Sequence, residues 1–182
     1  MRRSDLEHVI RAAAAIAQVD EIVVIGSQAI LGQYPDPPPQ LCMSMEADLW
    51  PNSRPDLADL IDGCIGEGST FHESYGYYAQ GVGPETAKLP RGWRTRLVRV
   101  DNPNTHPGKG LCLEPHDLAL SKYAAGREKD LDFTHAMIKA KMLDKDILLK
   151  RLPMMDIDEP LKRVVKGRIE RQFTEGAKPA SP

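Results

Sequence analysis

A run of four β-branched residues at positions 22–25, Ile-Val-Val-Ile, constrains the fold of this chain more than any other segment. Such a short apolar run favours a strand that is buried on both faces. Gly26 and Ser27 end the run, and residues 28–31 are typical of one or two helical turns. The first organised unit is therefore a buried strand, a Gly-Ser turn and a short helix.

The remainder of the first 115 residues mixes helical and strand patterns. Ser4 and Glu7 have the spacing of a capping box, and apolar residues at helical spacing predict a helix over residues 5–18. After a Pro-rich loop at 34–40, residues 45–50 alternate between apolar and acidic residues, which predicts a strand with one polar face. Further predictions are a helix opened by Pro55 and strands at 75–80, 95–100 and 110–114.

From Pro115 onward the sequence has only helical patterns. We predict a helix between Pro115 and Gly126, a second over residues 131–142, and two more capped by Asp144 and Asp158. Residues 174–182 are small and polar, which predicts a disordered tail. The expected fold class is α+β: a small mixed β-sheet core in residues 1–115, followed by a C-terminal helical bundle in residues 116–173.

Charge and hydropathy exclude several classes of protein. The net charge of −2 excludes a strongly basic, histone-like nucleic-acid binder, and the 41% apolar content allows a sizeable core. No apolar stretch approaches the roughly 18 residues of a membrane span, and the first residues lack the apolar run of a signal peptide. We therefore expect a cytoplasmic protein with no membrane partner.

The acidic strand carries the first candidate site. Glu46 and Asp48 are two residues apart, so their side chains emerge on the same face of a strand. Paired carboxylates repel each other unless protons or a cation neutralise them, and such hard oxygen ligands suit Mg²⁺ or Mn²⁺. The alternative is an exposed strand face with two solvated acids.

The Gly-Ser turn suits a phosphate group. Gly26 allows the backbone to approach a phosphate closely, and Ser27 offers an N–H and a hydroxyl to it. The alternative is an ordinary turn between a strand and a helix. The order of elements, an apolar strand, Gly-Ser, a helix, a loop and an acidic strand, is what distinguishes the two.

This order resembles the nucleotidyltransferase superfamily related to DNA polymerase β, in which a Gly-Ser or Gly-Gly turn precedes an acid–hydrophobic–acid strand. Ser44 lies two residues before Glu46. This arrangement resembles the AbiEii-type branch, the nucleotidyltransferase-like toxins of type IV toxin–antitoxin systems. Residues 116–131 resemble a helical motif of that branch, in which a lysine is followed by an arginine and then by a basic residue and an aspartate. The matching residues are Lys122, Arg127, Lys129 and Asp130.

The resemblance implies an enzyme that moves a nucleotide from an NTP to a hydroxyl of RNA (a tRNA, for example) or protein. It implies that the metal ligands are Glu46 and Asp48, that the catalytic residues are these two with Lys122 and Asp130, and that the nucleotide-binding residues are Gly26, Ser27, Lys122 and Arg127. It also implies Mg²⁺ or Mn²⁺ as cofactor and, for a toxin, an antitoxin protein as partner.

Three departures from the family pattern leave an alternative open. The first acid is Glu46 where the family usually has Asp, and the 18 residues between Ser27 and Glu46 include a Pro-rich insertion that makes this gap longer than in minimal family members. No motif identifies a third carboxylate among Glu85, Asp101 and Glu114. A catalytically degenerate nucleotide- or RNA-binding protein on the same fold is therefore the second interpretation. A plain nucleic-acid-binding module would depend on the basic residues at positions 162–171.

Overall fold

The computed structural model describes residues 1–176, and the chain divides into two compact units. Unit 1 comprises residues 1–87 and 94–114, and unit 2 comprises residues 88–93 and those from 115 onward. The described residues form a five-stranded mixed sheet and eight α-helices, which confirms a mixed α/β fold. None of these helices is both long enough and apolar enough to cross a membrane.

Unit 1 contains the sheet, whose strand order is β3-β2-β1-β5-β4. Strand β1 is antiparallel to β2 and parallel to β5, β2 is parallel to β3, and β4 is antiparallel to β5. The elements of this unit are α1 (Arg3–Ala17), β1 (Glu21–Ile25), α2 (Ile30–Gln33), β2 (Glu46–Pro51), α3 (Ala58–Ile65), α4 (Thr70–Tyr75), β3 (Tyr78–Gly81), β4 (Val98–Val100) and β5 (Lys109–Cys112).

Helices α1, α2 and α3 pack on one face of this sheet. Three glycines lie where helix and sheet come close together, so a Cβ added to any of them would meet a neighbour. A Cβ on Gly110 would meet Ile10 of α1, and one on Gly81 would meet the backbone of Ala58 in α3. A Cβ on Gly32 of α2 would meet Cys112. In β2, Ala47 and Leu49 point to this helix-covered face. Glu46 and Asp48 alternate with them and therefore lie on the opposite face.

The strand directions bring three chain segments to one edge of the sheet. Strand β1 ends where the antiparallel strand β2 begins, and β3 begins beside β2 because the two run parallel. The register pairs Ile25 with Asp48 and Glu46 with Tyr78. The Gly-Ser turn, both predicted acids and the first residue of β3 consequently meet at this edge.

Unit 2 contains four helices, α5 (Pro115–Ala125), α6 (Glu128–Lys139), α7 (Lys145–Arg151) and α8 (Glu159–Gly176). Helix α5 contacts each of the other three, and α8 also contacts α6 and α7. Gln172 of α8 is buried, accepts a hydrogen bond from the Tyr123 hydroxyl at 2.8 Å and donates one to the Leu131 carbonyl at 2.8 Å. Helix α8 includes residues 174–176, which we assigned to the disordered tail, and the rest of that tail lies outside the described residues.

Local hydrogen bonds explain which predicted helix ends are right. The Asp144 side chain accepts from the N–H groups of Asp146 and Ile147, and Asp158 accepts from Leu161, so both predicted caps are confirmed. The capping box of Ser4 and Glu7 is wrong, because α1 begins at Arg3 and Asp5 accepts the Arg2 N–H at 2.7 Å.

The strand predicted over residues 75–80 is also shorter than expected. Ser69 caps helix α4 by accepting the His72 N–H, and Gly76 ends that helix in the left-handed conformation. Tyr75 therefore belongs to α4, and β3 begins only at Tyr78.

Candidate active site

Gly26 and Asp48 are in direct contact at the edge of the sheet. Gly26 has φ +65° and ψ −168°, a backbone conformation that is essentially restricted to glycine. A Cβ at this position would lie 1.8 Å from Oδ2 of Asp48, so the carboxylate occupies the space that any other residue would need. The structure thus brings together two residues that the sequence placed in the site separately.

Glu46 is half-buried at the start of β2. Its N–H donates to the Ser44 hydroxyl at 3.1 Å, which gives the serine two residues before the first acid a structural role. The strand register places Tyr78, the first residue of β3, beside Glu46. Tyr78 was not among the predicted site residues.

The acidic character of this edge affects Tyr78. Burial raises the pKa of the Tyr78 hydroxyl, and the negative charges of Glu46, Glu67 and Asp48 raise it further. The tyrosine therefore stays protonated and remains a donor at neutral pH. Because Glu46 and Asp48 both raise the pKa of Tyr78, their charges act on the same small region.

The oxygen donors at this edge could hold a divalent cation whose coordination shell is completed by other ligands. Mg²⁺ is usually held in proteins by one or two carboxylates, with substrate phosphates and water filling the rest of its shell. Glu46 and Asp48 supply two such carboxylates on one face of β2. Within residues 1–176 no group of three or more His, Cys, Asp or Glu side chains is placed to hold a metal.

None of the three candidates for a third carboxylate completes such a group. Asp101 forms an ion pair with Arg99 at 2.8 Å, and the Glu85 carboxylate lies against Gly83. Glu114 does not complete such a group either, since none is found among residues 1–176.

The turn after Gly26 contains a buried polar side chain that sequence reasoning missed. Ser27, Gln28 and Ala29 form a single 3₁₀ turn leading into α2. Gln28 is fully buried, and neither its amide nitrogen nor its amide oxygen has a hydrogen-bond partner among the described residues. Such groups are rare because each costs about 1–3 kcal/mol.

The other predicted residues form an ion-pair cluster in unit 2. Asp130 is buried in the first turn of α6 and pairs with Lys122 Nζ at 3.1 Å and with Arg127 Nε at 2.6 Å. Lys122 is only 8% exposed and its Nζ lies 4.7 Å from the centre of the Phe133 ring. Lys122 is therefore not a surface lysine.

Arg127 is the exposed member of this cluster, with 63% of its side chain accessible to solvent. Burial alone would raise the pKa of Asp130, but the hydrogen bond from Arg127 and the charge of Lys122 outweigh it, so the pKa lies below its ordinary value. Asp130 is therefore a permanent anion at neutral pH that orients both cations.

Comparison with known proteins supplies one match. A family model described as a nucleotidyltransferase of unknown function (DUF6036) matches residues 4–168. No curated protein and no solved structure matches the chain. The matched range contains the Gly-Ser turn, both acids of β2 and the ion-pair cluster.

Proposed function

The chain belongs to the family of nucleotidyltransferases of unknown function, DUF6036, and we propose that it transfers a nucleotide from an NTP to a hydroxyl of RNA or protein. The observation that carries this proposal is the contact between the Asp48 carboxylate and Gly26, with Glu46 on the same strand face. This places two acids beside a backbone turn in which glycine is required.

We propose that Glu46 and Asp48 hold Mg²⁺ or Mn²⁺ against the nucleotide phosphates. Such an ion neutralises charge on the phosphates and lowers the pKa of the attacking hydroxyl. The acceptor hydroxyl loses its proton to solvent as its oxygen forms a bond to the α-phosphorus, in line with the bond that breaks, and pyrophosphate leaves. Glu46 and Asp48 would act by holding the ion, because carboxylates alone repel the anionic α-phosphate.

The phosphate-binding residues of the proposal are Gly26, Ser27, Lys122 and Arg127. Ser27 offers its hydroxyl at the turn, and Gly26 allows the backbone to come close. Lys122 supplies a point charge, and Arg127 can make a bidentate contact through its guanidinium group. Asp130 supports both cations by holding them in place.

A protein that binds nucleotide or RNA without turnover is the second candidate. It is favoured by the finding that residues 1–176 contain no cluster of three metal-ligating side chains. Two carboxylates leave more of the coordination shell to the ligand, which lowers affinity for the ion alone but still permits a nucleotide to complete it.

Action as a toxin of the AbiEii type, in the cytoplasm and under control of an antitoxin protein, is a further part of the proposal. Its support is the motif of Ser44, Glu46 and Asp48, together with the motif of Lys122, Arg127 and Asp130. The hydrogen bond from the Glu46 N–H to Ser44 gives the first motif a physical reason.

Label transfer tests the proposal. The full chain is incubated with each α-³²P-labelled NTP, Mg²⁺ or Mn²⁺, and either bulk tRNA or a protein extract. We expect metal-dependent labelling of an acceptor by at least one NTP, and no labelling with Asp48→Asn. Asp59→Asn, the same change on the exposed side of α3, is the matched control and should label normally.

Two results would contradict parts of the proposal. Labelling that persists in EDTA would exclude the metal-dependent reaction. Metal-dependent NTP binding by calorimetry without any label transfer would instead support the binding protein, whose affinity for NTP should also fall in Asp48→Asn.

A further inference from the structure

An NTP held at the acids of β2 must place its uncharged base on the protein surface beside them. In the proposed site the carboxylates hold the metal, and the metal holds the phosphates, so recognition of the base needs other side chains. Proteins bind bases by stacking them on aromatic rings and by hydrogen bonds to the base edges. Aromatic side chains next to Glu46 and Asp48 are therefore the candidates.

Tyr78 lies on the same face of the sheet as the two acids. Strands β2 and β3 are parallel, and their register pairs Tyr78 with Glu46, so both side chains point to one face. Tyr78 is half-buried, which leaves part of its side chain open to solvent. Its backbone N–H donates to the Met45 carbonyl at 2.9 Å and fixes the start of β3 beside the start of β2.

His72 of α4 packs against the Tyr78 ring. The two ring centroids are 4.7 Å apart and the ring planes are inclined at 51°, so the rings form an angle rather than a parallel stack. His72 Nδ1 accepts the Gly68 N–H at 3.1 Å, and the His72 backbone N–H donates to the Ser69 hydroxyl at 3.2 Å. These two bonds hold the histidine in one orientation beside the tyrosine.

The hydrogen bond from Gly68 determines which nitrogen of His72 is a donor. Because Nδ1 accepts in this bond, the neutral imidazole carries its proton on Nε2. Within residues 1–176 this Nε2 has no hydrogen-bond partner, and His72 is only half-buried. The pair therefore offers an aromatic ring and an oriented N–H donor side by side.

We propose that Tyr78 and His72 bind the base of the NTP, with the Tyr78 ring stacking on it and the His72 Nε2–H donating to an acceptor atom on its edge. The inference rests on the proposed function, because a metal at Glu46 and Asp48 would hold the phosphates next to this pair. Every base has an aromatic face, so stacking on the tyrosine suits all four NTPs rather than selecting one.

The alternative role of the ring pair is to fasten α4 to β3. Both roles predict that loss of the rings affects the protein, but they differ in the ligand concerned. Inorganic tripolyphosphate has three linked phosphates and no base. Binding of the base is lost for an NTP alone, whereas a distorted sheet edge weakens both ligands.

Isothermal titration calorimetry on the full-length protein with Mn²⁺ present makes this comparison. The ligands are tripolyphosphate and the four α,β-methylene NTP analogues, which cannot be cleaved at the α-phosphorus. Tyr78→Leu should raise the Kd of each analogue that the wild type binds by about 5- to 150-fold, the range of base stacking on an aromatic side chain. Its Kd for tripolyphosphate should be unchanged. Tyr78→Phe keeps the ring and should bind both kinds of ligand as the wild type does.

Two further variants make the comparison specific. His72→Asn keeps an acceptor for the Gly68 N–H but removes the Nε2 donor, so it should also weaken NTP binding alone, and it leaves β3 unchanged if Tyr78→Leu does not fold. Tyr75→Leu is the matched control, because Tyr75 is an exposed residue of α4 whose ring contacts His8. It should change neither Kd. Thermal melting of each variant confirms that the protein measured is folded.

An NTP affinity that is unchanged in Tyr78→Leu would overturn the inference. An equal loss of tripolyphosphate affinity would also overturn it, as would a similar loss of NTP affinity in Tyr75→Leu.

The failure of the proposed function has a different signature. An Asp48→Asn variant that binds both kinds of ligand as tightly as the wild type overturns the metal site, while a selective loss of NTP affinity in Tyr78→Leu still establishes the contact with the base. A wild-type protein that binds neither ligand in the presence of Mn²⁺ overturns both proposals.

Discussion

At the scale of single residues, the backbone of Gly26 and the side chain of Asp48 share one small space. An alanine at position 26 would meet Oδ2 of Asp48 at 1.8 Å and would also adopt a positive φ, so two penalties combine. We expect Gly26→Ala to lower the free energy of unfolding by at least about 1–3 kcal/mol, the usual cost of such backbone strain. Urea denaturation followed by circular dichroism measures this, and transfer activity should be lost as the carboxylate is displaced.

Gly63 provides the control for this variant. It lies within α3, and a Cβ there would meet nothing within 4 Å. Gly63→Ala should therefore stabilise the protein by up to about 1 kcal/mol through helix propensity alone. If Gly26→Ala were as stable as Gly63→Ala, the close contact with Asp48 would be wrong.

The charge of Asp48 can be removed with almost no change in shape. Two unit charges about 4 Å apart repel by about 1–4 kcal/mol at effective dielectrics between those of water and a protein surface. Asp48→Asn relieves this repulsion from Glu46, so the metal-free variant should be as stable as the wild type or slightly more stable, yet inactive. Thermal melts with and without Mg²⁺, beside one transfer assay, measure both properties.

An aspartate with only a structural role would give the inverse pattern. The Asn variant would then lose stability in the absence of metal and retain whatever transfer activity the protein has.

If Asp48 is a metal ligand as proposed, addition of Mg²⁺ should raise the melting temperature of the wild type and leave that of Asp48→Asn unchanged, because only the wild type would hold the ion.

At the scale of elements, a single buried carboxylate connects helices α5 and α6. Asp130 of α6 pairs with Lys122 of α5, and both side chains are almost fully buried. Asp130→Asn removes the buried carboxylate charge that lies 3.1 Å from Lys122 Nζ. We expect this to lower the free energy of unfolding by about 3–5 kcal/mol, as breaking other buried pairs does. Arg127→Ala removes the exposed partner and should cost about 1 kcal/mol or less.

The same pair makes stability depend on pH in a defined direction. The pKa of Asp130 is lower in the folded protein than its ordinary value of about 3.9 in an unfolded chain. Its contribution is therefore present above about pH 4 and is lost as the pH falls through the folded-state pKa. Urea titrations between neutral and acidic pH should show a smaller acid-induced loss of stability in Asp130→Asn than in the wild type. Equal losses would contradict the role of Asp130.

Local patterns predicted those elements whose signals are local. The β-branched run became β1, the alternating segment became β2, and the side chains of Asp144 and Asp158 cap helices as expected. Predictions failed where a residue far along the chain determines which hydrogen bonds a side chain makes. Glu7 has the spacing of a capping box, but its carboxylate accepts from Asn102 and Asn104, which lie far along the chain.

The candidate site was predictable to the extent that its residues follow one another along the chain. The Gly-Ser turn and the acidic strand could be placed together because an antiparallel neighbour of β1 brings them to one edge. The position of Tyr78 beside Glu46 could not be predicted, because it depends on the register between β2 and β3. The burial of Lys122 was missed for a similar reason, because its counter-ion lies on another helix.

At the scale of the whole molecule, the net charge of the protein determines how strongly it attracts RNA when no NTP is bound. The net charge is −2, so no long-range attraction to RNA is expected, and the basic segment of α8 is the main candidate for contact. Much of its charge is already used: Lys162 pairs with Glu159 at 3.0 Å, Lys166 lies 3.8 Å from Glu170, and Arg168 donates to the Tyr123 carbonyl at 2.5 Å.

Arg163 and Arg171 are the two basic residues of α8 that have no ion pair or hydrogen bond within residues 1–176. Each arginine that neutralises one phosphate of a single strand contributes about −0.7 to the slope of log K against log salt concentration. We therefore expect RNA binding without NTP to be weak, with a slope of about −1 to −2. Fluorescence anisotropy with a labelled single-stranded RNA across a salt series measures it, and the double variant Arg163→Ala/Arg171→Ala should remove most of the slope. A tight complex with a much steeper slope would instead identify a nucleic-acid-binding module, because only many phosphate contacts produce such salt dependence.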